Sequence, residues 1–210
     1  MFYSTFEADI NLYASNEIIG NDFLHGTDNS KVLNISYCKY NNGTSDNTIK
    51  IFANHFKNRR LEINPASNHS WLSDIEIANN YFDWNESADY HRMIYISGDD
   101  DIPSLIENNT FQRRYCHASY DFLYIQNSSS IRVRNNIFYD NNSVSNYRFR
   151  FSSNTILIFE YNLFNQSAFT LNSSSSLYEW FDYLPSSYVI DNNYFNSDGW
   201  NTSNISGDGI

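Results

Sequence analysis

Apolar and polar positions alternate in short bursts along this chain. Ile49 and Ile51, Ile75 and Ile77, and Ile131 and Val133 each bracket a single polar residue. A period of two is that of a β-strand with one buried and one solvated face. Each burst then runs into an Asn, one further residue and a Phe, most plainly in the stretch Ile131–Phe138. Aligned on the closing Phe, the copies end at Phe23, Phe56, Phe82, Phe111, Phe138, Phe164 and Phe195. Two residues before each stands an Asn: Asn21, Asn54, Asn80, Asn109, Asn136, Asn162 and Asn193. Five residues before each is a large apolar residue: Ile18, Ile51, Ile77, Ile106, Val133, Phe159 and Ile190. Successive copies are 33, 26, 29, 27, 26 and 31 residues apart, a period that belongs to a solenoid.

Asn-x-Phe reads as a tight corner and a second short strand, because Asn tolerates the left-handed backbone such corners need. A further strand is expected upstream of each copy, at Ile10–Leu12, Leu61–Ile63, Met93–Ser97, Phe122–Gln126, Tyr147–Phe151 and Ala168–Leu171. Three short strands per turn of chain predict an all-β, parallel β-helix of about seven coils. Coils stacked about 4.8 Å apart would bring the seven Asn into one inward ladder and the seven Phe into a second column. Each buried ring would contribute roughly 2–3 kcal/mol. Helical repeats would need apolar residues spaced by three and four, and no such run is sustained.

With its Ile-x-Asn-Asn-x-Phe-like coil, the chain resembles the right-handed parallel β-helices of the pectin-lyase superfamily. The resemblance covers nearly the whole sequence and specifies architecture rather than activity. In that superfamily a polysaccharide lies on the sheet formed by the upstream strands. The resemblance therefore implies that this sheet is the place to look for a ligand.

Composition narrows the partners. A formal charge of −11 and a pI near 4.7 argue against nucleic acid or an anionic membrane. No apolar run reaches the length of a membrane span, and Met1–Ser4 lacks the features of a signal peptide. Cys38 and Cys116 lie at different offsets from their closing Phe, which predicts free thiols rather than a bridge. Sequons such as Asn34-Ile-Ser, Asn85-Glu-Ser and Asn108-Asn-Thr recur. They arise either by accident in an Asn- and Ser-rich chain or because the protein is secreted and glycosylated. The 210 residues read as one β-helix domain. No amphipathic segment precedes the first coil or follows the last, so the expectation is a piece of a longer solenoid, or one capped by a protein partner.

Candidate chemistry concentrates on the upstream strands. With Leu61/Ile63, Ile94/Ile96, Leu123/Ile125, Phe149/Phe151 and Phe169/Leu171 pointing inward, an outward column reads Asn34, Glu62, Tyr95, Tyr124, Arg150, Thr170. Arg60, Met93, Phe122 and Arg148 run along one side of it. Ser36, Asn64, Ser97, Gln126, Ser152 and Asn172 run along the other. Aromatic faces edged by amides, hydroxyls and guanidinium groups suit sugars. Aromatic ladders also suit β-sheets for their own sake. The residues expected to bind substrate are Arg60, Glu62, Tyr95, Phe122, Tyr124, Gln126 and Arg150.

Asp99, Asp100 and Asp101 follow the Tyr95 strand and form a weak candidate for Ca²⁺; adjacent acids on a turn are otherwise simply solvated. On the motif strand Glu107, Arg134 and Glu160 alternate in sign, which reads as structural. The five His residues show no metal-ligand spacing, and His55 is expected to face solvent. The long stretch between Asn172 and Ser187 carries Tyr178, Trp180, Phe181 and Tyr183, suiting either a local lid or a binding loop.

Two functions follow. One is a non-catalytic, extracellular β-helix that is adhesive, structural or glycan-binding. The other is a polysaccharide lyase or glycoside hydrolase, with Arg148 or Arg150 as base, or Glu62 paired with Asp99. A hydrolase needs two carboxylates about 5–9.5 Å apart, and the strip offers one. The Asn-Thr-Asp, paired-Asp, Gly-His-Gly and Arg-Ile-Lys sets of polygalacturonases are missing, as is the Asp cluster with Arg-x-x-Pro of pectate lyases. The non-catalytic reading is preferred.

Overall fold

The computed structural model describes residues 5–6, 10–12, 17–24, 32–35, 48–64, 74–84, 92–97, 103–113, 121–126, 130–140, 149–151, 156–166, 181–182, 185 and 187–196. These form three sheets in which every pairing is parallel. Strands of each sheet recur once per coil, the arrangement of a parallel β-helix solenoid. The motif strands make a seven-stranded sheet from Glu17–Ile19 through Ser104–Glu107 to Ser187–Asp191. The strands carrying the closing Phe make an eight-stranded sheet from Thr5–Phe6 to Tyr194–Asn196. The upstream strands make the third, seven-stranded, from Ile10–Leu12 to Phe181–Asp182.

Register follows the sequence repeat. Phe82 pairs with Phe56 and Phe111, and Phe138 with Phe111 and Phe164. Their rings stack from Phe23 to Phe164 with centroids 4.9, 4.6, 4.9, 4.9 and 5.2 Å apart and interplanar angles of 20° or less. This spacing is set by the strand separation of about 4.8 Å. Ring preference alone favours offset or edge-on geometry.

The Asn residues form the expected ladder. The Asn136 Nδ2 donates to the Ile106 carbonyl of the preceding coil at 2.9 Å and to the Asn162 Oδ1 of the next at 3.1 Å. Its Oδ1 accepts from the backbone N and the Nδ2 of Asn109 at 2.9 and 3.1 Å. The same bonds repeat at Asn54, Asn80, Asn109 and Asn162. The carbonyls of Ile18, Ile51, Ile77, Ile106, Val133 and Phe159 are thereby satisfied inside the coil, which a buried carbonyl requires.

Four expectations are corrected. The left-handed residue of the corner is not the ladder Asn but its predecessor: Gly20, Ala53, Asn79, Asn108, Asn135, Tyr161 and Asn192 all have φ between 51° and 69°. Reversing the chain there lets the ladder amide point inward. A further strand, Thr5–Phe6, pairs in register with Asp22–Phe23 and precedes the first copy expected; no Asn two residues before Phe6 marked it in the sequence. The strand paired with Phe149–Phe151 is Phe181–Asp182, whereas Ala168–Leu171 lies outside the described residues. Phe181 stands in register with Phe149, and the sequence offers an aromatic residue at 169 as well as at 181, so alternation alone could not choose between them.

Finally, Met93 and Phe122 are not on the outer surface. They are 4 % and 1 % exposed, and Phe122 packs edge-on against Phe111 and Phe138. In these two strands Met93 and Phe122 are buried next to the inward Ile94 and Leu123, one residue earlier than strict alternation allows. His55 lies on the outward face of its strand, as expected. It is half-buried, stacked on Tyr81 at 5.1 Å, with its Nδ1 3.5 Å from Asp22.

Candidate functional site

The upstream sheet carries a polar and aromatic strip over several coils. Its inner face is closed by Leu61, Ile63, Ile94, Ile96, Leu123 and Ile125, all at most 1 % exposed. The outer positions are therefore held by a rigid apolar floor. Tyr95 lies in register between Glu62 and Tyr124, and Arg150 follows Tyr124. The Tyr95 and Tyr124 rings sit 5.3 Å apart, tilted by 51°. The Gln126 amide ties them together. Its Oε1 accepts from the Tyr95 hydroxyl at 3.0 Å, and its Nε2 donates to the Tyr124 hydroxyl.

Arg92, which sequence reasoning missed, completes this cluster. Its guanidinium lies 3.9 Å from the Tyr124 ring centroid and 4.7 Å from that of Tyr95. Arg150 approaches the Tyr124 ring at 5.6 Å. Burial pushes the Arg92 guanidinium below its ordinary pKa. Tyr124, Asp121 and Tyr95 oppose that shift and Arg150 adds to it. Asp121, register partner of Arg92, is 6 % exposed and lies 3.2 Å from the Arg150 Nε. One step further along, the Arg60 Nε meets the Glu62 Oε1 at 2.8 Å. Asn64 donates to the Asn34 Oδ1 at 3.2 Å. The signal for Arg92 was its place at the start of a strand with Asp121 one coil on, each one residue before the strands expected at Met93–Ser97 and Phe122–Gln126.

Of the residues expected to bind substrate, the structure gathers Tyr95, Tyr124, Gln126 and Arg150 into one cluster. Arg60 and Glu62 pair with each other beside it. Phe122 lies beneath the strip as core. Arg148, Asp99, Asp100, Asp101, Ser36, Thr170, Ser152 and Asn172 lie outside the described residues, as do Tyr178, Trp180 and Tyr183. Among the described residues no three His, Cys, Asp or Glu side chains group so as to hold a metal ion. Among them, too, no helix is long and apolar enough to cross a membrane.

On the motif sheet Glu107, Arg134 and Glu160 stand in register, as expected. Arg134 Nε meets Glu107 Oε2 at 2.7 Å, while Arg132 Nε approaches Glu160 Oε1 at 3.6 Å. These exposed pairs cross-brace the coils and converge on no cavity with the strip.

Compared with known proteins, the chain matches no family model, no curated protein and no solved structure. The fold is that of a parallel β-helix, and the site is read from its own geometry.

Proposed function

We propose that this solenoid is a non-catalytic, extracellular glycan-binding module that uses the upstream strip. The observation that carries the reading is the Tyr95–Tyr124 pair, locked by one amide and stacked with Arg92. Rigid aromatic surface beside amides and guanidinium groups is what a sugar chain needs. Ring edges and faces meet its C–H surfaces, and polar groups meet its hydroxyls and carboxylates. Along the strip's strands Arg60, Arg92 and Arg150 stand against Glu62, Asp121 and Asp182, the last in register with Arg150. In a chain of net charge −11 the guanidinium groups of Arg92 and Arg150 are what the carboxylates of an acidic glycan would meet. Likeness of the coil to the pectin-lyase superfamily supports the same sheet as the ligand face. A secreted setting agrees with the sequons, of which Asn108-Asn-Thr presents an exposed Asn.

The carboxylates speak for binding rather than hydrolysis. Glu62 faces Arg60 and Asp121 faces Arg150, so each is engaged by its own guanidinium instead of flanking a shared gap. The Arg150 Nε that a lyase base would use is likewise directed at Asp121.

The test is retention on a panel of immobilised acidic and neutral polysaccharides, with product formation followed with and without Ca²⁺. Wild type is expected to be held by an acidic polysaccharide, without cleaving it, and released by salt. Tyr124→Ala and Arg92→Ala are expected to weaken retention about ten-fold or more, a loss of roughly 1–2 kcal/mol for a desolvated cation–π contact. Unsaturated or reducing-end product would make the protein a lyase or hydrolase, and no retention by any polymer would sink the reading.

A further inference from the structure

The arginines described on the upstream sheet are not equivalent. The Arg60 Nε lies 2.8 Å from Glu62 and the Arg150 Nε 3.2 Å from Asp121, so each already faces a carboxylate. Among the described residues the Arg92 guanidinium makes no hydrogen bond and no ion pair. What it touches are the Tyr124 and Tyr95 rings, at 3.9 and 4.7 Å from their centroids. Arg92 is half-buried, yet none of its nitrogens is sealed from solvent. A guanidinium only donates, so its N–H groups are left for a ligand. Along the stack this group is bracketed by two neutral pairs. Glu62 stands in register with Tyr95 one coil back, paired with Arg60, and Asp121 stands in register with Arg92 one coil on, paired with Arg150.

We propose that the strip selects glycans in which acidic sugars are separated by neutral ones, with Arg92 as the residue that takes the carboxylate. This rests on the glycan-binding reading of the strip and narrows it. One carboxylate finds the fork of donors on Arg92, held in place by two rings. A polymer with a carboxylate on every ring would set the acids on either side of that one against the neutral pairs. There each must displace Glu62 from Arg60 or Asp121 from Arg150, or go unpaired. In a chain of net charge −11 every unpaired carboxylate adds repulsion. A neutral ring in the same place meets no such cost. Its hydroxyls face Ser97 and Gln126, which stand in register on the uncharged side of the strip. A wholly neutral glycan, in turn, gains nothing from Arg92.

The test is retention on three immobilised polymers: hyaluronan, which alternates a uronate with a neutral sugar, polygalacturonate, with a carboxylate on every ring, and dextran, with none. Wild type is expected to be held by hyaluronan about ten-fold more tightly than by either of the others. Arg92→Gln is expected to bring hyaluronan down to the level of dextran. Asp121→Asn releases Arg150, and Glu62→Gln releases Arg60. Each is therefore expected to raise retention on polygalacturonate about ten-fold. Glu62→Gln, at the less buried position, decides the matter if Asp121→Asn does not fold. Wild type held by polygalacturonate or dextran as tightly as by hyaluronan would overturn the proposal and leave the strip a glycan site. So would hyaluronan retention that survives Arg92→Gln, or polygalacturonate retention unchanged in a folded carboxylate variant. Retention by none of the three would overturn it as well, and retention by no polysaccharide at all would take the strip reading with it.

Discussion

Asn136 makes its hydrogen bonds with no exposed surface at all. Replacing it by Leu removes acceptors from Asn109 and a donor from the Ile106 carbonyl, leaving buried groups that water cannot reach. Each such group costs about 1–3 kcal/mol. Asn136→Leu is therefore expected to lower the unfolding free energy by at least that much in a urea titration, and an unchanged midpoint would refute the ladder's energetic role. Tyr161 makes the opposite case. It occupies the left-handed corner position at φ 55° and is 55 % exposed, where Gly20 serves the first coil. A Cβ in that conformation costs roughly 1 kcal/mol. Tyr161→Gly is expected to be neutral or stabilising by up to about 1 kcal/mol, the gain being limited by the freer unfolded chain. Thermal unfolding reads it directly.

Among elements, the Phe-bearing strands matter most for cohesion between coils. Phe138 touches Phe111, Phe122, Phe149, Phe159 and Phe164, rings from all three sheets. Phe138→Ala is expected to cost about 3–5 kcal/mol, as large-to-small changes in a packed core do. Loss of the outer Glu107–Arg134 pair by Glu107→Gln is expected to cost less than about 1 kcal/mol, and that cost should fade in high salt. A result in which the two variants were equally damaging would show that the coils are held by their surfaces. The elements also explain what sequence reading missed. Alternation assigns faces within a strand, but Asp121, Phe122 and Leu123 are buried in succession. Phe122 is buried beside Leu123 although the ladder has already begun at Asp121, because its ring packs edge-on against Phe111 and Phe138.

At the scale of the molecule, each coil contacts its neighbours and all three sheets run in parallel along the stack. Stability in such a solenoid is close to a sum of coil and interface terms. Damage at a central coil is therefore expected to unfold part of the stack, seen as a broadened transition or a second one. The outer faces of the sheets then differ in chemistry while sharing one core. The upstream face gathers arginine, tyrosine and amide groups, and the motif face carries alternating charges. The proposed retention on acidic polysaccharide would belong to the first face, so substitutions on the motif face are expected to leave it intact.

The amino-acid sequence determined the coil by itself. Asn and Phe at constant offsets, with apolar residues in alternation, admit one arrangement in which amides and rings both stack. The ladder residues Asn21 to Asn193 and the Tyr95–Tyr124–Arg150 column were legible for the same reason, since register is inherited from the repeat. Tertiary structure alone decided that Arg92 lies over two tyrosine rings, that Phe122 belongs to the core and that Phe181–Asp182 is the strand next to Phe149–Phe151. Those facts depend on where a corner ends and how far a side chain reaches across coils. Neither distance is written in a periodicity.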